Sequence, residues 1–438
     1  MIKLTLNGKQ VTAKKGQTIL QVAEDNGFKI PTLCHDKELK PFGSCWVCAV
    51  KVKGRRGFVT SCGTDALDGM VVETESGEVR NARKMALELL LSDHYADCEA
   101  PCKIACPDKV DVQTYVSLIA NGQYHEAVKV IKENLPMPLS IGRVCPAFCE
   151  EECRRTAVEE PIAIRQLKRH AADFDLFDEW SYIPDKALSK NKSIAVIGGG
   201  PSGLTCGYYL STAGFDVTVF EAAPKAGGWL RYGIPEYRLP KKILDQEIKL
   251  MCANGMKIKC NKKVGTDINL NNLSQTYDAV YLAIGAQNAV PMRVKGSDLK
   301  GCFLGVDFLK DVILGHKVST GKKVAVVGGG NTAIDCARTA KRMGADVTLI
   351  YRRTRKEMPA EAYEVDAAEE EGIKFYFLTN PVENLGHKGK LKSIKLEKMK
   401  LGEPDSSGRR RPEPTGKFFE EEFSAVIAAI SQAPDVEF

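Results

Sequence analysis

The chain has 438 residues, 44% hydrophobic and 27% charged, with 62 basic against 56 acidic side chains and a formal charge of +6. That composition excludes a disordered, collagen-like or coiled-coil chain, and the length sets an expectation of about three domains. No apolar run approaches the roughly 18 residues of a membrane span, and no signal-peptide core follows Met1. The charge is too balanced and dispersed for a nucleic-acid footprint. The expected setting is cytoplasmic, with no nucleic acid and no membrane span.

Residues 1–80 read as a small β-rich domain. Two alternating segments, Lys3–Leu6 and Gln10–Ala13, flank Asn7-Gly8, a strong hairpin signal. A helix is expected from about Gln17 to Asn26, closed by Gly27, with further strands at Val47–Val52 and Gly57–Ser61. Residues 81–180 change to helical periodicity at Arg83–Leu91, Val112–Ala120, Tyr124–Glu133 and Ile162–Trp180. A linker follows at Ser181–Lys192. From Ser193 apolar strands alternate with helices, the pattern of an α/β fold with a parallel sheet. The pattern also repeats: Ile194–Ile197 enters Gly198-Gly199-Gly200-Pro201-Ser202-Gly203, and Val324–Val327 enters Gly328-Gly329-Gly330-Asn331-Thr332-Ala333. Later strands match as well, Ala279–Gly285 with Ala425–Ser431, so two related nucleotide-binding units are expected.

Each glycine motif follows a strand and opens a helix, the context in which glycines let the backbone approach a pyrophosphate at a helix N-terminus. The discriminating residue comes 23 positions after the first glycine. In the first unit it is Glu221, a carboxylate suited to ribose hydroxyls. In the second it is Tyr351, followed by Arg352 and Arg353, whose guanidinium groups suit the extra phosphate of NADP. A flavin on the first unit and NADPH on the second is the economical reading, with hydride passing between them.

Ten of the fifteen cysteines fall between Cys34 and Cys153. Without a signal peptide, such crowding points to metal rather than to a disulfide framework. Cys34-x10-Cys45-x2-Cys48-x13-Cys62 suits a 2Fe–2S cluster, with zinc as the competing occupant. Cys98-x3-Cys102-x3-Cys106-Pro107 and Cys145-Pro146-x2-Cys149-x3-Cys153 suggest two 4Fe–4S clusters sharing ligands between runs. Eight ligands are needed and six thiols are present. His94 is one candidate for a vacancy, with an ordinary polar role as the alternative, and Gln166 is a weaker candidate for the other.

These residues resemble a known family. Gly198–Gly203, Gly227-Gly228-Trp229-Leu230-Arg231-Tyr232-Gly233-Ile234-Pro235 and Tyr237-Arg238-Leu239-Pro240-Lys241 are similar to the FAD half of the glutamate synthase small subunit. Gly328–Asp335, Tyr351-Arg352-Arg353-Thr354-Arg355 and Met358-Pro359-Ala360 are similar to its NADPH half. Gly142–Pro146 through Cys153-Arg154-Arg155 resembles the cluster-binding helical domain shared with dihydropyrimidine dehydrogenase. The Cys34–Cys62 segment resembles the 2Fe–2S domain that begins electron-input subunits of hydrogenase, formate dehydrogenase and respiratory NADH dehydrogenase, and His94-x3-Cys98 resembles the histidine-ligated cluster motif that follows it there.

The resemblance implies a multidomain fold: a β-grasp ferredoxin-like domain (1–80), an α-helical iron–sulfur domain with two 4Fe–4S clusters (81–180), and two α/β Rossmann-like nucleotide-binding domains, one inserted in the other. FAD would occupy 190–295 and NADPH 296–420, with 421–438 beginning a return to the FAD domain that looks truncated. It further implies that Gly198, Gly200, Ser202 and Gly203 face the FAD pyrophosphate and Glu221 its ribose, with Gly228, Leu230 and Arg238 lining the site. Gly328, Gly330, Asn331 and Thr332 would hold NADP(H), with Arg352, Arg353 and Lys356 on its 2′-phosphate. Cys98, Cys102 and Cys153 would serve one 4Fe–4S cluster, and Cys106, Cys145 and Cys149 the other. Lys168 takes the place of a side chain able to ligate iron.

The expected activity is an NAD(P)H-linked FAD and iron–sulfur oxidoreductase subunit, passing electrons through its clusters to a hydrogenase- or formate dehydrogenase-like partner subunit. No catalytic acid or base is expected, because the flavin carries the hydride chemistry. One alternative is the small subunit of NADPH glutamate synthase. Another is a non-catalytic electron conductor without a working FAD site. A flavin disulfide reductase is disfavoured, since no Cys-x2-Cys lies in the α/β half.

Overall fold

The computed structural model describes residues 1–92, 99–406 and 408–436, and the chain divides into two compact units, Met1–Cys98 and Glu99–Phe438. The expected cluster ligands His94 and Cys98 lie outside the described residues.

In the first unit Ile2–Leu6 and Lys9–Ala13 pair antiparallel, Leu6 opposite Lys9. Asn7 and Gly8 turn the chain between them at φ 49° and 81°, the left-handed backbone this dipeptide tolerates. Val71–Glu73 adds in parallel to Ile2–Leu6, and Ala49–Val52 and Val59–Thr60 complete a five-stranded sheet. Helix Ile19–Asp25 begins at Thr18, whose hydroxyl accepts from the Gln21 amide while the Gln21 side chain accepts from Thr18. Its apolar side, Ile19, Leu20, Val22 and Ala23, packs with Leu4, Leu6, Val50 and Val72. Helix Gly77–Ser92 belongs to this unit rather than to the helical domain expected from 81. Val79 is buried, and the Arg83 guanidinium donates to the Ala49 carbonyl at 2.9 Å.

The second unit opens with helices that include Val112–Ala120, Tyr124–Asn134, Pro138–Val144 and Ile164–Phe177, closed around Tyr115, Ile119, Val128, Ile131 and Ile164. Asp111 caps the first of these by accepting from the Thr114 amide. An extended stretch after Tyr182 is fixed where the Ala187 and Lys190 amides donate to the Thr212 and Gly214 carbonyls.

Two parallel sheets follow, as unbroken apolar strands between helices require. The first has the order Lys257–Lys259, Asp216–Phe220, Ser193–Ile197, Ala279–Leu282. The second has the order Cys302–Leu304, Ala425–Ala428, Lys323–Val327, Asp346–Ile350, Lys374–Tyr376. Ala425–Ala428, buried throughout, is thus a strand of the second sheet, although the segment from 421 was expected to return to the first half. The chain rejoins the first half at Gln432–Ala433, antiparallel to Asn288–Ala289. Between the last two strands of the second sheet in chain order lies a three-stranded antiparallel sheet of Thr379–His387, Lys390–Pro404 and Arg410–Glu422. Two of its strands, Lys390–Pro404 and Arg410–Glu422, are rich in charge, and Leu391, Ile394 and Leu396 of the first of these join the core. Among the described residues no helix is long and apolar enough to cross a membrane.

Candidate functional site

The two glycine turns are built alike. At Gly198, φ 106°, a Cβ would stand 2.2 Å from the Ala283 carbonyl oxygen; at Gly328, φ 148°, it would stand 2.3 Å from the Ala429 carbonyl oxygen. Each first glycine therefore passes beneath the end of the strand that neighbours its own. Gly203 packs so closely that a Cβ would meet the Gly198 oxygen at 1.8 Å, whereas the second turn has Ala333 there. Helices Pro201–Thr212 and Asn331–Arg342 begin at Gly200 and Gly330 with no side-chain cap, which leaves their first amides open to an anion.

The first turn faces a cavity of about 910 Å³ lined by Gly198, Gly200, Ser202, Glu221, Gly228 and Trp229, among others. Both Glu221 oxygens are anchored: Oε2 accepts from the Gly199 amide and Oε1 from the Ala223 amide, each at 2.7 Å. Each oxygen keeps a further lone pair for a hydroxyl. Gly228 (φ 50°) lies so near Gly200 that a Cβ would stand 2.7 Å from its Cα. Gly203 and Leu230 lie behind this wall, Leu230 within the core with Leu204 and Leu244. The residues thus suit a dinucleotide whose ribose carries free hydroxyls.

The second turn faces a cavity of about 720 Å³ that includes Gly328, Gly330, Thr332, Tyr351, Arg352 and Arg353. Tyr351 takes the position of Glu221; its ring lies under Gly329, and its hydroxyl donates to the Glu357 carbonyl at 2.7 Å. Four arginines line the cavity, Arg293, Arg352, Arg353 and Arg409, and its described lining contains no carboxylate. Arg293 and Arg409 were not singled out from the sequence, Arg409 because it lies within a run of arginines next to a turn. Lys356 is exposed and outside this lining, and the Asn331 side chain accepts from the Glu361 amide at 3.0 Å.

Arg238 lies outside the first cavity. It borders a smaller one, of about 170 Å³, with Val144, Trp229, Asn331, Asp335 and Gln432. There its guanidinium donates to Asp335 at 2.7 Å and pairs with Glu364 at 2.8 Å, while Arg338 pairs with Glu364 and stacks over Tyr237. Burial pushes the Asp335 carboxyl up to about 6 against the pull of Arg238. The helix that reaches this cavity through Val144 leads directly into Cys145.

The thiols of the first unit form two pairs. Cys48 and Cys62 lie with their sulfurs 3.4 Å apart. The Cys34 thiol rests against the backbone and thiol of Cys45, which hold it down at about 7. Burial pushes Cys62 up to about 12, with Cys48, Cys34 and Cys45 adding to the shift. Next to these thiols the Ser61 hydroxyl and His35 Nδ1 are buried without a hydrogen-bond partner. Two thiol pairs and orphaned polar groups fit a two-iron cluster and its sulfides. Among the described residues no three His, Cys, Asp or Glu side chains converge as the ligands of a single ion do.

In the helical domain Tyr115 lies among Cys102, Cys106, Cys145 and Cys149, which together with burial push its hydroxyl upward. Burial pushes Cys149 up to about 12, with Lys168 opposing and Cys145, Glu150 and Cys106 adding to it. Cys102 is raised by burial and, to a lesser degree, by Cys153. The Ala147 amide donates to the Cys145 sulfur at 3.4 Å. Half-buried thiols around one tyrosine, with an amide donating to the Cys145 sulfur, fit iron–sulfur ligation. Gln166 lies on helix Ile164–Phe177, and Lys168 on the same helix is buried.

Fold and sites together define an α/β dinucleotide-binding scaffold joined to two cysteine-rich domains. Residues 192–431 match the family model for pyridine nucleotide-disulphide oxidoreductase, more than half the chain, and the chain belongs to that family. Residues 82–180 match dihydropyrimidine dehydrogenase domain II, 4Fe-4S cluster, and residues 1–77 match the 2Fe-2S iron-sulfur cluster binding domain. The chain is therefore built as an iron–sulfur flavoprotein of the oxidoreductase class. It is 44% identical over 350 residues to NADPH-Fe(3+) oxidoreductase subunit beta of Geobacter sulfurreducens, covering 77% of this chain and 52% of that one. It is 44% identical over 365 residues to NADP(+)-dependent formate dehydrogenase subunit beta of Moorella thermoacetica, with the same coverage. Against the glutamate synthase [NADPH] small chain of Escherichia coli it is 33% identical over 340 residues, covering 74% of this chain and 72% of that one. The chain thus spans about half the length of the first two relatives. Among solved structures, Mycobacterium tuberculosis FprA in complex with NADPH matches with a TM-score of 0.50 at 22% identity, over 55% of this chain and 71% of that one, a likeness of fold.

Proposed function

We propose that the chain is an NADPH-linked FAD and iron–sulfur electron-transfer subunit. The observation that carries this reading is the contrast between two like-built turns in one unit: Glu221 anchored at the first, and at the second an arginine-lined cavity with no carboxylate among its described lining residues. FAD, when bound, supplies the step that accepts a hydride and releases electrons singly. The chain's own residues bind and orient. Gly198, Gly200, Ser202 and Gly203 form the pyrophosphate turn, Glu221 takes the ribose, and Gly228, Leu230 and Arg238 shape the surroundings. Gly328, Gly330, Asn331 and Thr332 form the NADPH turn, with Arg352 and Arg353 as its basic side and Lys356 outside the cavity.

The reading includes one 2Fe–2S cluster on Cys34, Cys45, Cys48 and Cys62. It also includes two 4Fe–4S clusters, on Cys98, Cys102 and Cys153 with His94, and on Cys106, Cys145 and Cys149. The two α/β units are taken as Rossmann-like domains, the NADPH domain inserted in the FAD domain. Its boundary is moved from 420 to just past Ala428, because that strand pairs with Lys323–Val327. With the first boundary moved past helix Gly77–Ser92, the domains run 1–98, 99–180, 190–295 and 296 to about 430. Relatives named as beta subunits support a further redox subunit as partner, and the 2Fe–2S domain favours this over a glutamate synthase small subunit.

Anaerobically purified protein is expected to hold FAD and about ten irons with matching sulfide. NADPH should bleach the flavin faster than NADH. Absence of flavin with full iron would favour the conductor, and faster bleaching by NADH would overturn the cofactor assignment.

A further inference from the structure

The arginine that directly follows Tyr351-Arg352 is already engaged. Arg353 is buried, its Nη2 donates to Asp405 at 2.6 Å, and its Nε donates to the Arg410 carbonyl at 2.7 Å. Both partners belong to the hairpin end between Lys390–Pro404 and Arg410–Glu422. That end is closed on itself, the Asp405 amide donating to the Arg409 carbonyl at 2.8 Å. It is braced by Arg410, whose guanidinium donates to the Gly402 and Leu401 carbonyls at 3.0 and 2.9 Å. Arg353 therefore acts as a peg that holds the hairpin against the end of strand Asp346–Ile350.

What the peg positions is Arg409, which lines the same cavity as Gly328, Gly330, Tyr351 and Arg352. Two arginines from elements more than fifty residues apart thus line one cavity, whose described lining holds no carboxylate. Like charges kept together in this way suit a dianion, and on a nucleotide with its pyrophosphate at the glycine turn the remaining dianion is a ribose phosphate. We propose that Arg409, together with Arg352, grips the 2′-phosphate of NADPH, and that Arg353 is a positioning residue for Arg409. The proposal rests on NADPH being the nucleotide of the second half.

The test uses flavin-loaded, cluster-containing protein titrated calorimetrically with 2′,5′-ADP and with ADP. Wild type should prefer 2′,5′-ADP. Arg409→Ala should weaken 2′,5′-ADP by about ten- to a hundred-fold and leave ADP within about two-fold, as loss of a charge-assisted bond requires. Arg409→Lys should recover part of the loss, and unchanged visible spectra of both variants should show the fold intact. A wild type without preference overturns the NADPH reading itself. A wild-type preference that survives Arg409→Ala overturns only the role given to Arg409. Equal weakening of both nucleotides also overturns that role, because the hairpin would then shape the cavity rather than read the phosphate.

Discussion

Arg238 and Asp335 are joined at 2.7 Å with both side chains almost fully buried, tying the segment after helix Gly228–Tyr232 to the helix that opens at the second glycine turn. Glu364 completes the site from a third element. One guanidinium between two carboxylates is a stable arrangement only while all three remain. Arg238→Met should cost about 3–5 kcal/mol, because it leaves the buried Asp335 without its ion-pair partner, while Glu364 keeps Arg338. The loss should be larger at pH 8 than at pH 5. Asp335 is already raised to about 6 by burial, and without Arg238 its folded value rises further, so stability falls as pH rises through it. Urea midpoints at the two pH values measure this. An equal loss at both would show that packing rather than charge dominates.

Glu221 is fixed by two amides before any ligand arrives. Glu221→Ala removes a ribose acceptor and also releases the Gly199 amide that shapes the turn. FAD retained after gel filtration should fall, with affinity down by about ten- to a hundred-fold. Binding of 2′,5′-ADP, at the other turn, should stay within about two-fold. Loss of both would mean that the variant disturbs the whole α/β unit.

Much of this architecture was legible because it is local. An apolar strand, a glycine turn, a helix and the residue at the end of the next strand, Glu221 or Tyr351, are all written within about thirty residues. Thiol spacing is likewise a local record. What escaped was set by distant partners. Arg353 reads as a phosphate ligand until Asp405 and the Arg410 carbonyl are seen to hold it, and Arg238 reads as flavin lining until Asp335, 97 positions away, takes its charge. The boundary at 81 failed to anticipate the bond from Arg83 to Ala49. In the antiparallel sheet Arg410–Glu422 is mostly exposed, and the buried Leu391, Ile394 and Leu396 of Lys390–Pro404 stand among seven charged residues that mask their pattern.

Lys168 is buried on helix Ile164–Phe177, close enough to Cys149 to pull its thiol down against a larger effect of burial. Its charge would offset that of an anionic cluster held by Cys149. Lys168→Met should leave iron content unchanged and move one low-potential cluster to more negative potential by tens of millivolts, since reduction then adds charge without a neighbouring cation. Redox titration followed by electron paramagnetic resonance reads both quantities. A loss of about four irons per chain would instead make Lys168 essential to holding the cluster.

Glu247 joins the first α/β half to the helical domain through one carboxylate. It accepts from the Leu139 amide at 2.7 Å, from the Ser140 amide at 3.0 Å and from the Ser140 hydroxyl, all at the start of helix Pro138–Val144, which ends at Cys145. Lys132, Asp175 and Tyr182 border the same small cavity. Burial raises the Glu247 carboxyl from 4.5 to about 7 in spite of these three donors and of Lys132. The folded state therefore binds the proton more tightly than the unfolded chain. Its contribution to stability is full below about pH 4.5 and is lost as pH rises to about 7, a change on the order of 3 kcal/mol. Glu247→Gln cannot titrate, so its urea midpoint should vary with pH less than that of wild type over this window. The variant should start lower at pH 5, because its amide nitrogen faces an amide donor. Parallel pH profiles for the two proteins would show that Glu247 is ionised throughout and that the helix start is held by charge alone.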